Sequence, residues 1–375
     1  MENFREVCAL LLGCVIVASS SKAMEPEAAL LLRLSRSDSS PAFAQRDLPR
    51  SGRAGEDELE GAARLEIGMR TEPRDDLHLK FSVMSAARWG SEDDSIIEAG
   101  ESFAALENIA MMPLSVSAGR QAISWGRGLL FSDQYGEHLF DMAGGRWDTL
   151  PHRFDFIYAD PALTVFDSPV NHLWLARWLY QAEGRSSVEM FGGAMSLEND
   201  GHAAIAGLRG VWAAGPAWET WAELAGEAGD RSSNRNLEAL IADCGIIRRF
   251  SKGEIRTAWT WASGSDDEVH SFVPLFNGEH WGRLYDPPLS GIHIFTASAS
   301  RDMTEALKIS GEYFSYRQGD SGEPLGSEVD LSARCALSDA VSLELNGCVF
   351  FTDDGLRSMN DNTRTEIRLQ LQAVF

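Results

Sequence analysis

The chain holds eight histidines, five cysteines and 56 aspartates and glutamates in 375 residues, the side chains from which a nucleophilic, redox or metal site would be assembled. Serine hydrolysis needs a hydroxyl activated by a histidine, commonly on a Gly-x-Ser-x-Gly elbow. No such elbow occurs, and His152, His270 and His280 fall in stretches that read as loops. A hydrolase embedded in a membrane is therefore a minor reading, and no enzyme is expected. Asp266-Asp267-Glu268 could attract calcium, but adjacent carboxylates on a loop are ordinarily just solvated. The cysteines and histidines lack zinc spacing, so neither a metal nor a cofactor is expected. What remains is charge, and the question becomes which elements would position it.

The formal charge of −23 argues against nucleic-acid binding. Met1 to Ala23 has the layout of a secretory signal: Arg5 near the start, an apolar run from Val7 to Ala18, and Ser21-Lys22-Ala23 as a small-x-small cleavage site. Leu11-Leu12-Gly13-Cys14 is similar to a lipid-attachment box, but the apolar run continues beyond Cys14 and a conventional cleavage site follows. Residues 1–23 are read as a cleaved leader and 24–375 as one exported domain holding Cys244, Cys335 and Cys348, an odd number for a disulfide framework.

The ending Glu366-Ile367-Arg368-Leu369-Gln370-Leu371-Gln372-Ala373-Val374-Phe375 alternates polar and apolar and stops on an aromatic residue. With a side-chain period of two, one face suits lipid and the other water. From Arg64 onward the chain repeats this theme in segments of about ten residues. Leu77, Leu79, Phe81 and Val83 oppose His78, Lys80 and Ser82; Ile255, Trp259 and Trp261 oppose Glu254 and Arg256. Glu328–Leu337 and Val341–Phe351 read as a hairpin across Ser338-Asp339, with Val329, Leu331 and Leu345 on the apolar side. Polar faces carrying both signs of charge suit a wet lumen better than a dry sandwich core. Eleven tryptophans fit the aromatic belts of a membrane barrel.

The expected fold is all-β: a transmembrane antiparallel β-barrel of about 16 to 18 strands in the outer membrane. A barrel that wide is not filled by its own wall, so an inward loop would set the constriction. Ser35–Glu60 and Asp133–Thr149 are the two stretches considered for it, with solvated loops as the alternative.

Several blocks, in order along the chain, carry a family resemblance. Gly119-Arg120-Gln121 precedes Gly126 and Leu129-Leu130. Trp147 precedes Arg153-Phe154-Asp155, with Phe156 where a glycine is usual. Glu223 and Gly229 share a strand in which Glu227 replaces a glutamine. Ala262-Ser263-Gly264 and Asp266 precede Phe272, Pro274, Leu275-Phe276, His280, Gly282 and Asp286, and Gly326 to Leu331 form a late strand. In this series the chain resembles the alginate export family of outer-membrane barrels.

The resemblance implies a passive conduit for an anionic polysaccharide, an alginate-like polyuronate. Its physical counterpart is a lumen lined by guanidinium groups, which bind carboxylates bidentately yet release them along a row of weak sites. Arg120, Arg127, Arg153, Arg209, Arg249 and Arg256 are assigned that role. Asp155, Glu223, Glu227, Glu328 and Asp330 are expected to brace the lumen wall, and Phe375 to serve as the assembly signal. The alternative in the same architecture is a general or substrate-selective diffusion porin for small solutes; a closed structural barrel is a third class. The partners expected are the anionic polysaccharide or small anionic solutes, outer-membrane lipid, the barrel-assembly machinery and a periplasmic secretion partner.

Overall fold

The computed structural model describes residues 25–37, 58–74, 76–89, 94–123, 125, 139–160, 163–165, 168–182, 184–197, 201–231, 235–264, 284–285, 289, 291–319, 321–353 and 363–374. The strands are β1 (Glu25–Ser37), β2 (Glu58–Arg74), β3 (Leu77–Trp89), β4 (Asp94–Leu106), β5 (Leu114–Ala122), β6 (Leu139–Thr149), β7 (His152–Asp160), β8 (Leu163–Val165), β9 (Ser168–Gln181) and β10 (Ser187–Leu197). They continue as β11 (His202–Ala214), β12 (Trp218–Arg231), β13 (Arg235–Phe250), β14 (Gly253–Ala262), β15 (Ile292–Asp302), β16 (Leu307–Gln318), β17 (Pro324–Ala336), β18 (Val341–Thr352) and β19 (Arg364–Val374).

All pairings are antiparallel between neighbours, and β1 pairs with both β2 and β19. The sheet thus closes on itself, which leaves no row of unsatisfied backbone groups facing hydrocarbon. β7 pairs with residues 173–180 of β9 and β8 with residues 168–170, so the two are segments of one wall strand in an 18-stranded barrel. That is the upper end of the expected strand number.

Burial is inverted relative to a water-soluble protein. Ile367 is 63% exposed and Leu331 61%, whereas Glu328 is 0% and Asp243 2% exposed. Large apolar side chains therefore point outward and charged ones inward, as a lipid-facing wall around a polar interior requires. The alternation places the side chains as expected: Phe81 and Val83 outward with Ser82 inward, Ile255 and Trp259 outward, Glu366 and Arg368 inward. Aromatic residues mark the outer rims. On one side Tyr158 stacks on His172 and contacts Trp174; on the other His152 stacks on Trp178, whose indole N–H donates to it at 3.2 Å.

Short turns close one end, for example Ser251-Lys252 between β13 and β14. The connections β1–β2, β5–β6, β14–β15 and β18–β19 are long and share the opposite end. By the rule for such barrels the short-turn end faces the periplasm.

The interior of the long-loop half is not open water. Ile123 and Trp125, just after β5, and Leu284, Tyr285 and Leu289, just before β15, pack inside the barrel with Phe140, Ile292, Ile294, Tyr316 and Phe350 in one apolar cluster. For the stretch 133–149, considered as an inward or a solvated loop, both readings are corrected over residues 139–149, which are wall strand β6 with Gly144 and Gly145 in register with β5 and β7, while 133–138 lie outside the described residues. Of the other stretch, Ser35–Ser37 and Glu58–Glu60 are strand, and residues 38–57 lie outside the described residues.

Candidate channel lumen

One side of the inner wall carries a ladder of alternating charge across six strands. Asp155 on β7 accepts from Arg146 on β6 at 2.8 Å and from both Nε and Nη2 of Arg177 on β9, at 2.8 and 2.6 Å. Arg177 reaches Glu189 on β10 at 3.5 Å. Arg209 on β11 lies 3.8 Å from Glu189 and 3.8 Å from Glu223 on β12. The spacing follows from antiparallel register, since Asp155 faces Arg177, Glu189 faces Arg209 and Arg209 faces Glu223.

Beyond Glu223 the row continues to Asp243 on β13, which accepts from Thr260 Oγ1 at 2.8 Å and from the indole N–H of Trp221. The guanidinium of Arg256 lies over that indole, 5.1 Å from the ring centroid. Within the ladder, Arg177 sits 5.2 Å over the ring of Trp125, so the ladder also touches an inward residue.

Exposure separates the arginines by role. The Arg146 side chain is 50% exposed, that of Arg177 11% and that of Arg209 21%. Arg177 and Arg209 are committed to wall carboxylates, and Arg146 presents an open edge to the lumen.

The remaining assigned arginines lie elsewhere. Arg153 pairs with Asp148 at 2.6 Å and Arg249 with Glu219 at 3.0 Å, both beside the short turns, which places them at the periplasmic mouth. Arg120 is corrected outright. It shares the face of Val116 and Ala118, both exposed, and forms a two-point pair with Asp141 at 3.0 and 2.8 Å. The flanking Phe140 and Met142 join the interior cluster, so Asp141 and Arg120 occupy the outer wall rather than the lumen. Arg127 and Phe375 lie outside the described residues, as do Asp266-Asp267-Glu268, Phe272, Pro274, Leu275-Phe276, His270, His280, Gly282 and Asp286.

Among the assigned carboxylates, Asp155 and Glu223 belong to the ladder and Glu227 is buried on the same face of β12. Asp330 is buried on β17 opposite Glu312 and Cys348. Glu328 does something else: its two oxygens accept the backbone N–H groups of Leu284 and Tyr285. Sequence reading missed Arg146, Arg177, Glu189 and Asp243. Arg146 was hidden because its stretch reads as a glycine-containing loop. Arg177 was visible in principle, since it falls on the face of β9 opposite Trp174.

Among the described residues no group of three or more His, Cys, Asp or Glu side chains is placed to hold a metal ion. Cys244, Cys335 and Cys348 are free thiols. His152, His172 and His78 bond to Trp178, Tyr158 and Glu72.

No family model matches the chain, and no curated protein is similar enough to stand as a relative. Solved structures match its fold along nearly the whole length. Pseudomonas aeruginosa OccK5 (OpdH) is 12% identical, with 94% of this chain and 98% of that one covered at a TM-score of 0.68. The outer membrane protein OprD from Pseudomonas aeruginosa is 9% identical, with 93% and 94% covered at 0.66. Pseudomonas aeruginosa OccK2 (OpdF), solved in complex with glucuronate, is 13% identical, with 94% and 98% covered at 0.66. The fold is that of an outer-membrane porin. It accords with the expected transmembrane antiparallel β-barrel. Of the resemblance expected from the sequence, the comparisons support the coarser part, an outer-membrane β-barrel of porin fold. Gly119-Arg120-Gln121 and Arg153-Phe154-Asp155 are pieces of the wall strands β5 and β7.

Proposed function

We propose that the chain is a substrate-selective diffusion porin for small carboxylated solutes. The observation that carries this reading is the ladder from Arg146 to Glu223, in which each buried guanidinium is held between carboxylates and one end stays open to the lumen. Held arginines keep their planes fixed. A passing carboxylate meets a preoriented fork at Arg146 and can exchange with Asp155 for it. Because the wall carboxylates compete, no single site holds the solute tightly, which conduction requires.

The apolar cluster seated in the long-loop half supports a small cargo. It narrows the passage of a barrel otherwise wide enough for a broad channel. The glucuronate held by one structural neighbour is a solute of the matching chemistry, a single carboxylate on a small polyol.

The test is single-channel recording of the refolded chain in planar bilayers with glucuronate, then with an uncharged hexose of similar size. Resolved blockades by glucuronate, absent with the neutral sugar, are expected. Equal response to the two sugars would move the reading to a general diffusion porin.

A further inference from the structure

We propose that Glu328 is the positioning residue that holds Leu284 and Tyr285, just before β15, inside the barrel and thereby narrows the channel, an inference that rests on the channel reading above. A carboxylate with no exposed surface is costly unless donors satisfy it. The direct cross-strand neighbours of Glu328 are Phe314 on β16 and Phe350 on β18. Its oxygens accept two consecutive backbone N–H groups, Leu284 at 2.8 Å and Tyr285 at 3.0 Å. Hydrogen bonds to a charged acceptor in a dry setting are about twice as strong as neutral ones.

Three further contacts converge on the same point. The Tyr285 ring meets Tyr316 edge-on at 4.8 Å and lies 5.0 Å from Phe350. The Tyr316 hydroxyl donates to the Tyr285 carbonyl at 3.4 Å. Gly326 on β17 makes room for the Phe350 ring, since a Cβ there would stand 2.6 Å from it.

The exit of the β14–β15 connection is pinned separately. Gly291, with φ +52, accepts the backbone N–H of Gly319 at the end of β16, and a Cβ on Gly319 would stand 2.9 Å from the Gly291 carbonyl. Of these two attachments the one at Glu328 binds the backbone of Tyr285, which packs in the interior cluster. Removing its carboxylate frees the inward attachment while the exit stays anchored.

Hydrogen exchange of the full chain in detergent, read by mass spectrometry, compares the parent with Glu328→Ala, Glu328→Gln and Tyr285→Ala. The expected result is exchange at the 284–285 amides faster by about tenfold or more in Glu328→Ala, with Glu328→Gln intermediate and the β16 to β18 amides unchanged. Open-channel conductance is expected to rise in Glu328→Ala and Tyr285→Ala. Tyr285→Ala leaves the wall intact, so it decides the matter if Glu328→Ala does not fold. Unchanged exchange at 284–285 overturns the proposal, and equal acceleration in the wall strands overturns it too, by making Glu328 a structural residue. Should the parent pass no current, the porin reading falls, while the exchange rates still decide whether Glu328 holds Leu284 and Tyr285.

Discussion

Two arginines on adjacent rungs of the ladder are chemically identical and physically opposite. Arg177 lies between Asp155 and Glu189 with little exposure, whereas Arg146 touches Asp155 and keeps half its surface toward the lumen. Removing Arg177 takes two hydrogen bonds from the buried Asp155 and the nearer guanidinium from the buried Glu189, so Arg177→Ala is expected to lower barrel stability by about 1–3 kcal/mol, read as a shift in the urea midpoint of the refolded chain. Arg146→Ala is expected to leave that midpoint within about 0.5 kcal/mol and to shorten glucuronate blockades by about 3- to 10-fold. A variant pair with the two effects exchanged would contradict the assignment. Glu328 shows the same lesson for carboxylates, since its partners are backbone amides of a connection far away in sequence.

A wall strand is defined by its two faces, and the outer one must match hydrocarbon. Leu331 projects from the middle of β17, next to the inward Asp330 and Ser332. Leu331→Arg is expected to destabilise the folded barrel by about 2–4 kcal/mol if the residue lies near the bilayer midplane, measured by denaturant titration in lipid vesicles. Ser332→Arg, on the lumen face, is expected to cost far less. This much follows from period-two alternation. Alternation also exposes the error over Arg120, because the residue shares parity with Val116 and Ala118. It was given to the lumen because a family motif was followed in place of its strand neighbours. Arg146 was lost for a different reason: two glycines in β6 imitate a loop, and only pairing with β5 and β7 shows that they lie in the wall.

At the scale of the whole molecule, closure depends on β1, which alone joins β2 to β19. Deleting residues 25–37 would leave two facing edges inside the membrane, each with unsatisfied amides. The truncated chain is expected to yield no compact, heat-modifiable species on a gel, whereas the parent does; a heat-modifiable truncated form would mean that β2 and β19 can pair directly.

The sequence by itself determined an all-β chain, the two faces of its strands, a charged interior and an aromatic-belted exterior. Each of these is a local property, written in side-chain alternation. Only the tertiary structure decided that Arg146, Asp155, Arg177, Glu189, Arg209 and Glu223 form one ladder, and that Ile123, Trp125, Leu284, Tyr285 and Leu289 fill part of the lumen. Strand register makes neighbours of residues that the chain holds far apart. The inward segments owe their place to burial of Trp125, Tyr285 and Leu289 against side chains from distant strands, and no periodicity within the segments themselves records those partners.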